Sequence, residues 1–165
     1  LDYSLEEIDR IMKINYLGMV YCCRAVLPHM IENKHGRVVS LSSDAGRVGE
    51  FREPIYSGMK AGVIALTKSL AREAGRFGIT FNALCPGVTR PEKSEEAGEL
   101  SMWGKDGAAA AMFTEEVAEA ARKMYALRRL GTAQDMANGV VFLCSDKASY
   151  ITGQTLSVSG GYSMM

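Results

Sequence analysis

The chain has 165 residues, of which 47% are hydrophobic and 23% are charged, and its 19 basic residues balance 19 acidic ones. This length suits a single domain with a buried core, and the apolar fraction excludes an intrinsically disordered chain. The balanced charge argues against a nucleic acid or an anionic membrane surface as the main partner, and no apolar run reaches the roughly 18 residues of a bilayer-spanning helix.

The chain opens with the pattern of one long helix. Ser4 and Glu7 stand at the spacing of a capping box, and apolar residues recur at helical intervals from there to about Asn33. Pro28 predicts a kink or a break near the end of this helix, because proline lacks the backbone N–H that a helix interior uses. A helix stop (NKHG) follows, and residues 37–42 (RVVSLS) predict a short strand.

Helix and strand patterns alternate through the rest of the chain. In order, they predict a helix over residues 54–75, a strand over 79–84, helices over 114–127 and 133–144, and a strand over 154–158. Thr114 is a suitable N-cap for the helix that follows it. Residues 87–113 show no clear period and are predicted to be irregular.

The order of these elements predicts an α/β fold. Strands separated by helices form parallel β-α-β units with helices on both faces of the sheet, which is a Rossmann-type, doubly wound architecture. We expect residues 1–165 to form one such domain. Three strands make a thin sheet for this architecture, so we expect a partial fold in which N-terminal β-α-β units are absent.

The sharpest chemical feature is the pair Tyr56 and Lys60 near the start of a predicted helix. Residues at i and i+4 share one helix face, with Cβ atoms roughly 5–6 Å apart. An unperturbed phenol has a pKa of about 10, and a nearby ammonium group lowers that pKa by favouring the phenolate. We therefore expect Tyr56 to exchange a proton with a substrate, although this spacing also occurs by chance in many helices.

A serine pair precedes this tyrosine. Ser43 stands 13 residues before Tyr56, just beyond the strand RVVSLS, and open parallel sheets bind ligands outside the carboxyl ends of their strands. The Ser43 hydroxyl is then a candidate donor to a substrate oxygen. An ordinary turn or capping role is the alternative, and Ser42 is its rival within the pair.

The cysteines predict neither a disulfide framework nor a metal site. Cys22, Cys23, Cys85 and Cys144 stand in apolar surroundings, without a CxxC pair or a Cys/His cluster of metal-binding spacing. We expect buried free thiols in a reducing, cytoplasmic compartment and no bound metal. The first ten residues also lack the basic-then-apolar order of a signal peptide.

Taken together, these motifs resemble the short-chain dehydrogenase/reductase family. The resemblance rests on the Ser-x12-Tyr-x3-Lys spacing from Ser43, the segment NALCPG and the ending TGQTLSVSGGY. The stretches IMKINYLG, HGRVVSLSS and KAGVIALTKSLARE match as well, so the resemblance covers essentially all of residues 1–165. It implies an oxidoreductase that uses NAD or NADP to interconvert a secondary alcohol and a ketone by hydride transfer.

The resemblance implies roles for four catalytic residues. Tyr56 would be the general acid/base, and Lys60 would lower its pKa and hydrogen-bond the nicotinamide ribose, so that both also contact the cofactor. Ser43 would orient and polarise the substrate carbonyl. Asn15 would hold a water that links Lys60 to solvent; the alternative is a polar side chain that satisfies helix backbone where the helix bends.

Three further residues are implied as cofactor contacts. Pro86 and Gly87 would pass close to the nicotinamide, because glycine lets backbone approach a ligand and proline fixes the turn; a simple strand-ending turn would look the same. The family often places a threonine five residues beyond this proline, where Pro91 stands here. Thr89 is the substitute that we assign.

Residues 88–127 are predicted to form the substrate-binding lid region. Within it, residues 92–98 (EKSEEAG) form a charged stretch that we interpret as a solvated, mobile part of the lid. Trp103, Phe113 and residues 108–112 either line a substrate pocket or pack the lid itself.

The family's Gly-rich turn, which takes the cofactor pyrophosphate at a helix N-terminus, has no counterpart in this sequence. We therefore expect weak or no dinucleotide binding and exposed apolar surface for the 165-residue chain alone, and the choice between NAD and NADP stays open. The helices over residues 5–33 and 54–75 resemble the family's dimer-forming helices, which implies a homodimer or homotetramer.

Two other functions are compatible with the sequence. The chain could be a non-catalytic remnant that acts only as an oligomerisation or interaction module. A weaker alternative is an enzyme with another cofactor on a similar fold, which the Ser-Tyr-Lys set disfavours because that set suits carbonyl and alcohol chemistry.

Overall fold

The computed structural model describes residues 3–90 and 114–165. Its first elements are helix α1 (Leu5–Met12), a π-helix (Lys13–Leu17), helix α2 (Gly18–Glu32), strand β1 (Gly36–Leu41) and the short helix α3 (Ala45–Val48). Helix α4 (Pro54–Ala74), a 3-10 turn (Gly75–Phe77) and strand β2 (Ile79–Pro86) follow. Helix α5 (Glu115–Met124), helix α6 (Ala133–Cys144), a 3-10 turn (Asp146–Ala148) and strand β3 (Thr155–Val158) lie beyond the gap.

The N-terminal helical stretch begins at the predicted capping box, but its interior differs from the single α-helix that the sequence predicted. The capping box is present, since the backbone N–H of Glu7 donates to Ser4 Oγ (3.2 Å) and that of Ser4 to Glu7 Oε2 (2.7 Å). No break occurs at Pro28, because α2 continues through it to Glu32. The α-helical ladder changes instead at the five-residue π-helix that contains Asn15.

The three strands form one parallel sheet in the order β1-β2-β3. Strand β2 lies in the centre, and seven of its eight residues are buried, as expected for a strand covered on both faces. Its register pairs Leu41 with Leu84 and Pro86 with Val158, so that the three strands end at the same edge of the sheet. The α/β, partial Rossmann-type fold is confirmed.

Helices cover both faces of this sheet. On one face, Ile79 and Phe81 of β2 form a core with Cys23 of α2 and with Ala71 and Ala74 of α4. On the other, α6 comes so close that a Cβ on Gly139 would lie 2.7 Å from Leu84 Cδ1. Because side chains alternate along a strand, the odd and even residues of β2 serve these two layers.

The second half differs from the prediction at one helix end. Helix α5 ends at Met124 rather than 127, whereas α6 has its predicted bounds. The Thr114 side chain caps α5, since it accepts a hydrogen bond from the backbone N–H of Val117. Of the predicted lid, residues 88–90 and 114–127 are described, while Pro91, the charged stretch 92–98, Trp103, residues 108–112 and Phe113 lie outside the described residues.

The four cysteines are free thiols. Cys23 and Cys85 are buried as expected, but Cys22 and Cys144 are exposed, so the prediction of burial is wrong for these two. Burial raises the pKa of the Cys85 thiol, which disfavours its reactive thiolate form. No helix among the described residues is long and apolar enough to cross a membrane.

Candidate functional site

A cavity of about 580 Å³ lies at the edge where the three strands end. Part of its wall comes from the strand ends: Ser42 to Ala45 after β1, Pro86 to Thr89 at and after the end of β2, and Tyr162 after β3. Tyr56 of α4 and Tyr125, which follows α5, also line it. The volume lies in the range of small-molecule sites, and the position is where open parallel sheets bind ligands.

The two neighbouring serines have different surroundings. Ser42 is buried, and its Oγ donates to the carbonyl oxygen of Lys60 at 2.8 Å, so that it ties the end of β1 to α4. Ser43 is half-buried, lines the cavity, and accepts a hydrogen bond from the backbone N–H of Ala45 at 3.2 Å. That contact leaves the Ser43 hydroxyl hydrogen available to another acceptor, which favours Ser43 over Ser42 as the substrate donor.

Helix α4 delivers the tyrosine and the lysine. Pro54 stands at its first position, where the missing N–H costs no helical hydrogen bond, and Tyr56 and Lys60 follow one turn apart. The Lys60 Nζ lies 5.4 Å from the centroid of the Tyr56 ring and donates to the carbonyl oxygen of Leu41 at 3.0 Å. A close contact with α3 holds this turn, since a Cβ on Gly46 would lie 2.6 Å from the Lys60 carbonyl carbon.

Burial has the largest effect on the pKa values of this pair. Burial raises the pKa of the Tyr56 phenol above its ordinary value, with a smaller opposite effect from its hydrogen bond to the Ser43 side chain. Burial also lowers the pKa of Lys60, whose ammonium group is engaged with the Leu41 carbonyl oxygen. The lowering of the Tyr56 pKa by Lys60 stays a prediction.

Asn15 and Lys60 meet at a second cavity of about 400 Å³, between the π-helix, α2 and the outer edge of β1. The Asn15 Nδ2 donates to the carbonyl oxygen of Ile11 at 3.2 Å, four residues earlier. This contact corresponds to the alternative stated for Asn15, a side chain that satisfies backbone where the helix changes its period. Asn15 and Lys60 both line this cavity, and the role of Asn15 in holding a water beside Lys60 stays a prediction.

Pro86, Gly87 and Thr89 all line the main cavity. A Cβ on Gly87 would lie 2.8 Å from Tyr125 Cε1, so a glycine is needed there for close packing. The Tyr125 hydroxyl accepts a hydrogen bond from the backbone N–H of Val88 (2.8 Å), and Thr89 Oγ1 donates to the Gly87 carbonyl oxygen (3.1 Å). The Tyr125 and Thr89 side chains thus both hydrogen-bond the backbone of the turn that follows β2.

Sequence reasoning missed most of the remaining wall. Asp44 lines the cavity and is 1% exposed. Its position directly after Ser43 could have identified it from the sequence. Tyr162 stacks on Tyr125 with ring centroids 5.3 Å apart, and its hydroxyl donates to Glu50 Oε2 at 2.7 Å. Glu53 lines the cavity beside Tyr56. No spacing rule relates these residues, because they come from four separate segments.

The sequence of this chain matches known reductases over nearly its whole length. A family profile described as enoyl-(acyl carrier protein) reductase matches residues 1–163. A 3-oxoacyl-[acyl-carrier-protein] reductase, FabG, from Staphylococcus aureus is 37% identical over 159 residues, which are 96% of this chain and 58% of that protein. FabG from Rickettsia felis is 34% identical over 160 residues, or 97% and 60% of the two chains.

Solved structures give the same coverage. A structure of ElxO with NADP bound superposes with a TM-score of 0.83 at 28% identity, covering 98% of this chain and 60% of that one. A 3-oxoacyl-[acyl-carrier protein] reductase from Brucella melitensis superposes with a TM-score of 0.81 at 30% identity, covering 99% and 56%. The chain therefore spans 56 to 60% of the length of these four proteins.

Proposed function

Because this chain belongs to the short-chain dehydrogenase/reductase family, we propose that it forms the catalytic part of an NAD(P)-dependent oxidoreductase that interconverts a secondary alcohol and a ketone. The observation that carries this proposal is the meeting of Ser43 and Tyr56 in one cavity at the carboxyl ends of the strands, with Lys60 one helical turn beyond Tyr56. The relatives named as 3-oxoacyl reductases support a ketone as the substrate class.

In the proposed mechanism, this chain supplies orientation and the proton. The Ser43 hydroxyl donates a hydrogen bond to the substrate carbonyl oxygen, which polarises the carbonyl. The Tyr56 phenol then transfers its proton to that oxygen as the alcohol forms. The raised pKa of Tyr56 suits this direction, because the phenol stays protonated at neutral pH and available as an acid.

The residues around the main cavity fit the nicotinamide end of a dinucleotide. Gly87 and Pro86 present a closely packed backbone to the cavity, and the hydroxyl groups of Ser43, Tyr56 and Thr89 stand along its wall. The reduced cofactor, NADH or NADPH, when bound, would supply the hydride that the ketone carbon accepts. The structures of ElxO with NADP and, in a tyrosine-to-phenylalanine variant, with NADPH support the same cofactor class here.

The proposal extends to assembly. Large apolar side chains are exposed on the first helical stretch, among them Ile14 at 64% and Tyr21 at 62%. Apolar surface of this kind is typical of an interface between subunits. We therefore propose a homodimer or homotetramer as the active form.

The test is Tyr56→Phe in the protein at its natural length, assayed with NADPH and NADH against a panel of ketones. We expect turnover to fall by about three orders of magnitude or more, since the substitution removes only the oxygen that carries the proton. The matched control is Tyr150→Phe, because Tyr150 is fully exposed and far along the chain from the site. Unchanged turnover in the Tyr56 variant, with an unchanged circular dichroism spectrum, would sink the mechanism.

A further inference from the structure

Three carboxyl groups, those of Asp44, Glu50 and Glu53, line the main cavity. No lysine, arginine or histidine among residues 3–90 and 114–165 lines it. Resting on the proposed function, we propose that this cavity selects carbonyl substrates that are uncharged beside the reacting carbon and rejects those that carry a carboxylate or a phosphate there. The selection comes from like-charge repulsion, which is strong where water is partly excluded.

Asp44 contributes a buried carboxyl group to the lining of the cavity. Its carboxyl group is 1% exposed, and one oxygen accepts a hydrogen bond from Ser157 Oγ of β3. The other oxygen, Oδ2, is buried and has no hydrogen-bond partner among the described residues. An unpaired buried acceptor attracts a hydrogen-bond donor and disfavours a second anion beside it.

Glu50 brings a second carboxyl group to the wall. It lies in the segment between α3 and α4, and its Oε2 accepts the hydrogen bond of the Tyr162 hydroxyl at 2.7 Å. That contact ties the segment to the C-terminal part of the chain, so the carboxyl group is held at the cavity. Glu53 follows at the N-terminus of α4 and is half-buried.

Neighbouring groups respond to this negative charge. The carboxylate of Glu50 raises the pKa of Tyr162 to about 12, and burial followed by Glu50 raises the pKa of Glu53. Burial raises the pKa of Tyr125, with smaller contributions from Asp44 and Glu50 in the same direction. A substrate anion in this cavity would experience the same repulsion.

The rest of the wall suits an uncharged organic group. Val88, Ala121 and Met124 present apolar side chains, and the rings of Tyr125 and Tyr162 stack to form one side. An ester, a thioester or an unsubstituted carbon chain beside the carbonyl gains contact with these surfaces. A free carboxylate in the same place loses its hydration without gaining a cation among the described residues.

The test compares acetoacetate, which carries a free carboxylate, with its ethyl ester, in which the same ketone carries no charge. In the protein at its natural length with saturating NADPH or NADH, we expect kcat/KM to favour the ester by about tenfold or more at low ionic strength. Added salt should narrow the preference, because it screens charge. Glu50→Gln and Glu53→Gln should each reduce the ratio of kcat/KM for the ester to kcat/KM for acetoacetate by about threefold.

The matched control is Glu73→Gln, an exposed carboxylate farther along α4, which should leave the ratio unchanged.

Saturation-transfer NMR of the two ketones compares their binding without turnover. Preferential binding of the ester without turnover supports the selection and contradicts the proposed function. The inference would be overturned if the two ketones were used or bound equally, or if neither were bound. It would also be overturned if neither Glu50→Gln nor Glu53→Gln changed the ratio of kcat/KM for the ester to kcat/KM for acetoacetate.

Discussion

Ser42 and Ser43 illustrate what spacing can and cannot decide about single residues. Both serines line the cavity, and the 13-residue distance to Tyr56 singled out Ser43, whereas the Ser42 hydroxyl donates to the Lys60 carbonyl oxygen. Residue type alone could not separate the two. Their difference arises from contacts beyond the end of β1, since Ser42 Oγ donates to the Lys60 carbonyl oxygen and Ser43 Oγ accepts from the Ala45 backbone N–H.

The protonation of Tyr56 could not be predicted from the sequence. The i, i+4 relation to Lys60 was correct, but the pKa of the phenol depends on how deeply the ring is buried, and burial is a tertiary property. The direction of the Lys60 ammonium group toward Leu41 is likewise set by the end of β1, which lies 19 residues away in the sequence.

At the residue scale, Gly46→Ala tests the contact that positions this lysine. The added Cβ would lie 2.6 Å from the Lys60 carbonyl carbon and 2.7 Å from the Ala61 nitrogen, and backbone atoms cannot move aside without shifting α4. We expect a loss of about 1–3 kcal/mol in the free energy of unfolding and a fall in kcat/KM. Chemical denaturation and steady-state kinetics measure the two effects.

The control for this variant is Gly58→Ala, in the interior of α4 between Tyr56 and Lys60. A Cβ there would meet nothing within 4 Å, so alanine should stabilise the helix by about 0.5–1 kcal/mol. Equal stability of the Gly46→Ala variant and the parent protein would show that the α3 contact is not tight.

At the scale of elements, the helix starts were predictable because capping uses local sequence. Ser4 with Glu7 and Thr114 act as expected, whereas the capping box of Thr132 and Asp135 at α6 was not recognised, since it uses aspartate in place of glutamate. The π-helix at residues 13–17 was not predictable, because a single inserted residue barely disturbs the apolar pattern.

Asp135→Asn tests the cap of α6 through its pH dependence. The hydrogen bonds of the Arg129 guanidinium, at 2.6 and 2.9 Å, and those of Thr132 hold the pKa of Asp135 well below its ordinary value. A lowered carboxyl pKa stabilises the fold above the unfolded value of about 3.9, and this contribution is lost as the pH falls. We expect the variant to lose about 0.5–2 kcal/mol at pH 7.

Urea denaturation at pH 7 and at pH 3 measures this difference. The difference in unfolding free energy between variant and parent should shrink at the lower pH. At pH 3 this carboxyl group binds a proton in the unfolded parent chain while it stays charged in the folded one, and this proton uptake favours the unfolded state. Asp146→Asn is the control: its side chain is 97% exposed, 3.7 Å from Arg37, and should contribute within about 0.5 kcal/mol. An equal loss at both pH values would exclude an ionic origin.

At the scale of the whole molecule, the alternation of strands and helices predicted the parallel sheet and its two helical layers. The cavity as a whole was only partly predictable. Ser43, Tyr56, Pro86, Gly87 and Thr89 belong to motifs, but the acidic residues of the lining and the stacked pair Tyr125 and Tyr162 do not. Glu50 and Tyr162 stand 112 residues apart and meet only because β1 and β3 end at the same edge.

The 165-residue chain on its own should bind dinucleotides weakly. Its described residues wall the nicotinamide end of a site, but its sequence holds no Gly-rich turn for the pyrophosphate. We expect NADPH fluorescence titration to give a dissociation constant above about 0.1 mM for this chain, with the protein at its natural length as the control. Saturable binding in the low micromolar range by the 165-residue chain would contradict this.

The convergence of three strand ends on one cavity has a consequence for how such proteins diverge. Three of the wall segments begin where a strand stops, so substitutions or insertions in one of them leave the hydrogen-bonded ladders of the sheet undisturbed. The Ser43 and Tyr56 hydroxyls stand on different segments from Tyr125 and Tyr162. A lineage can therefore retain the chemistry while it acquires a new substrate, one loop at a time.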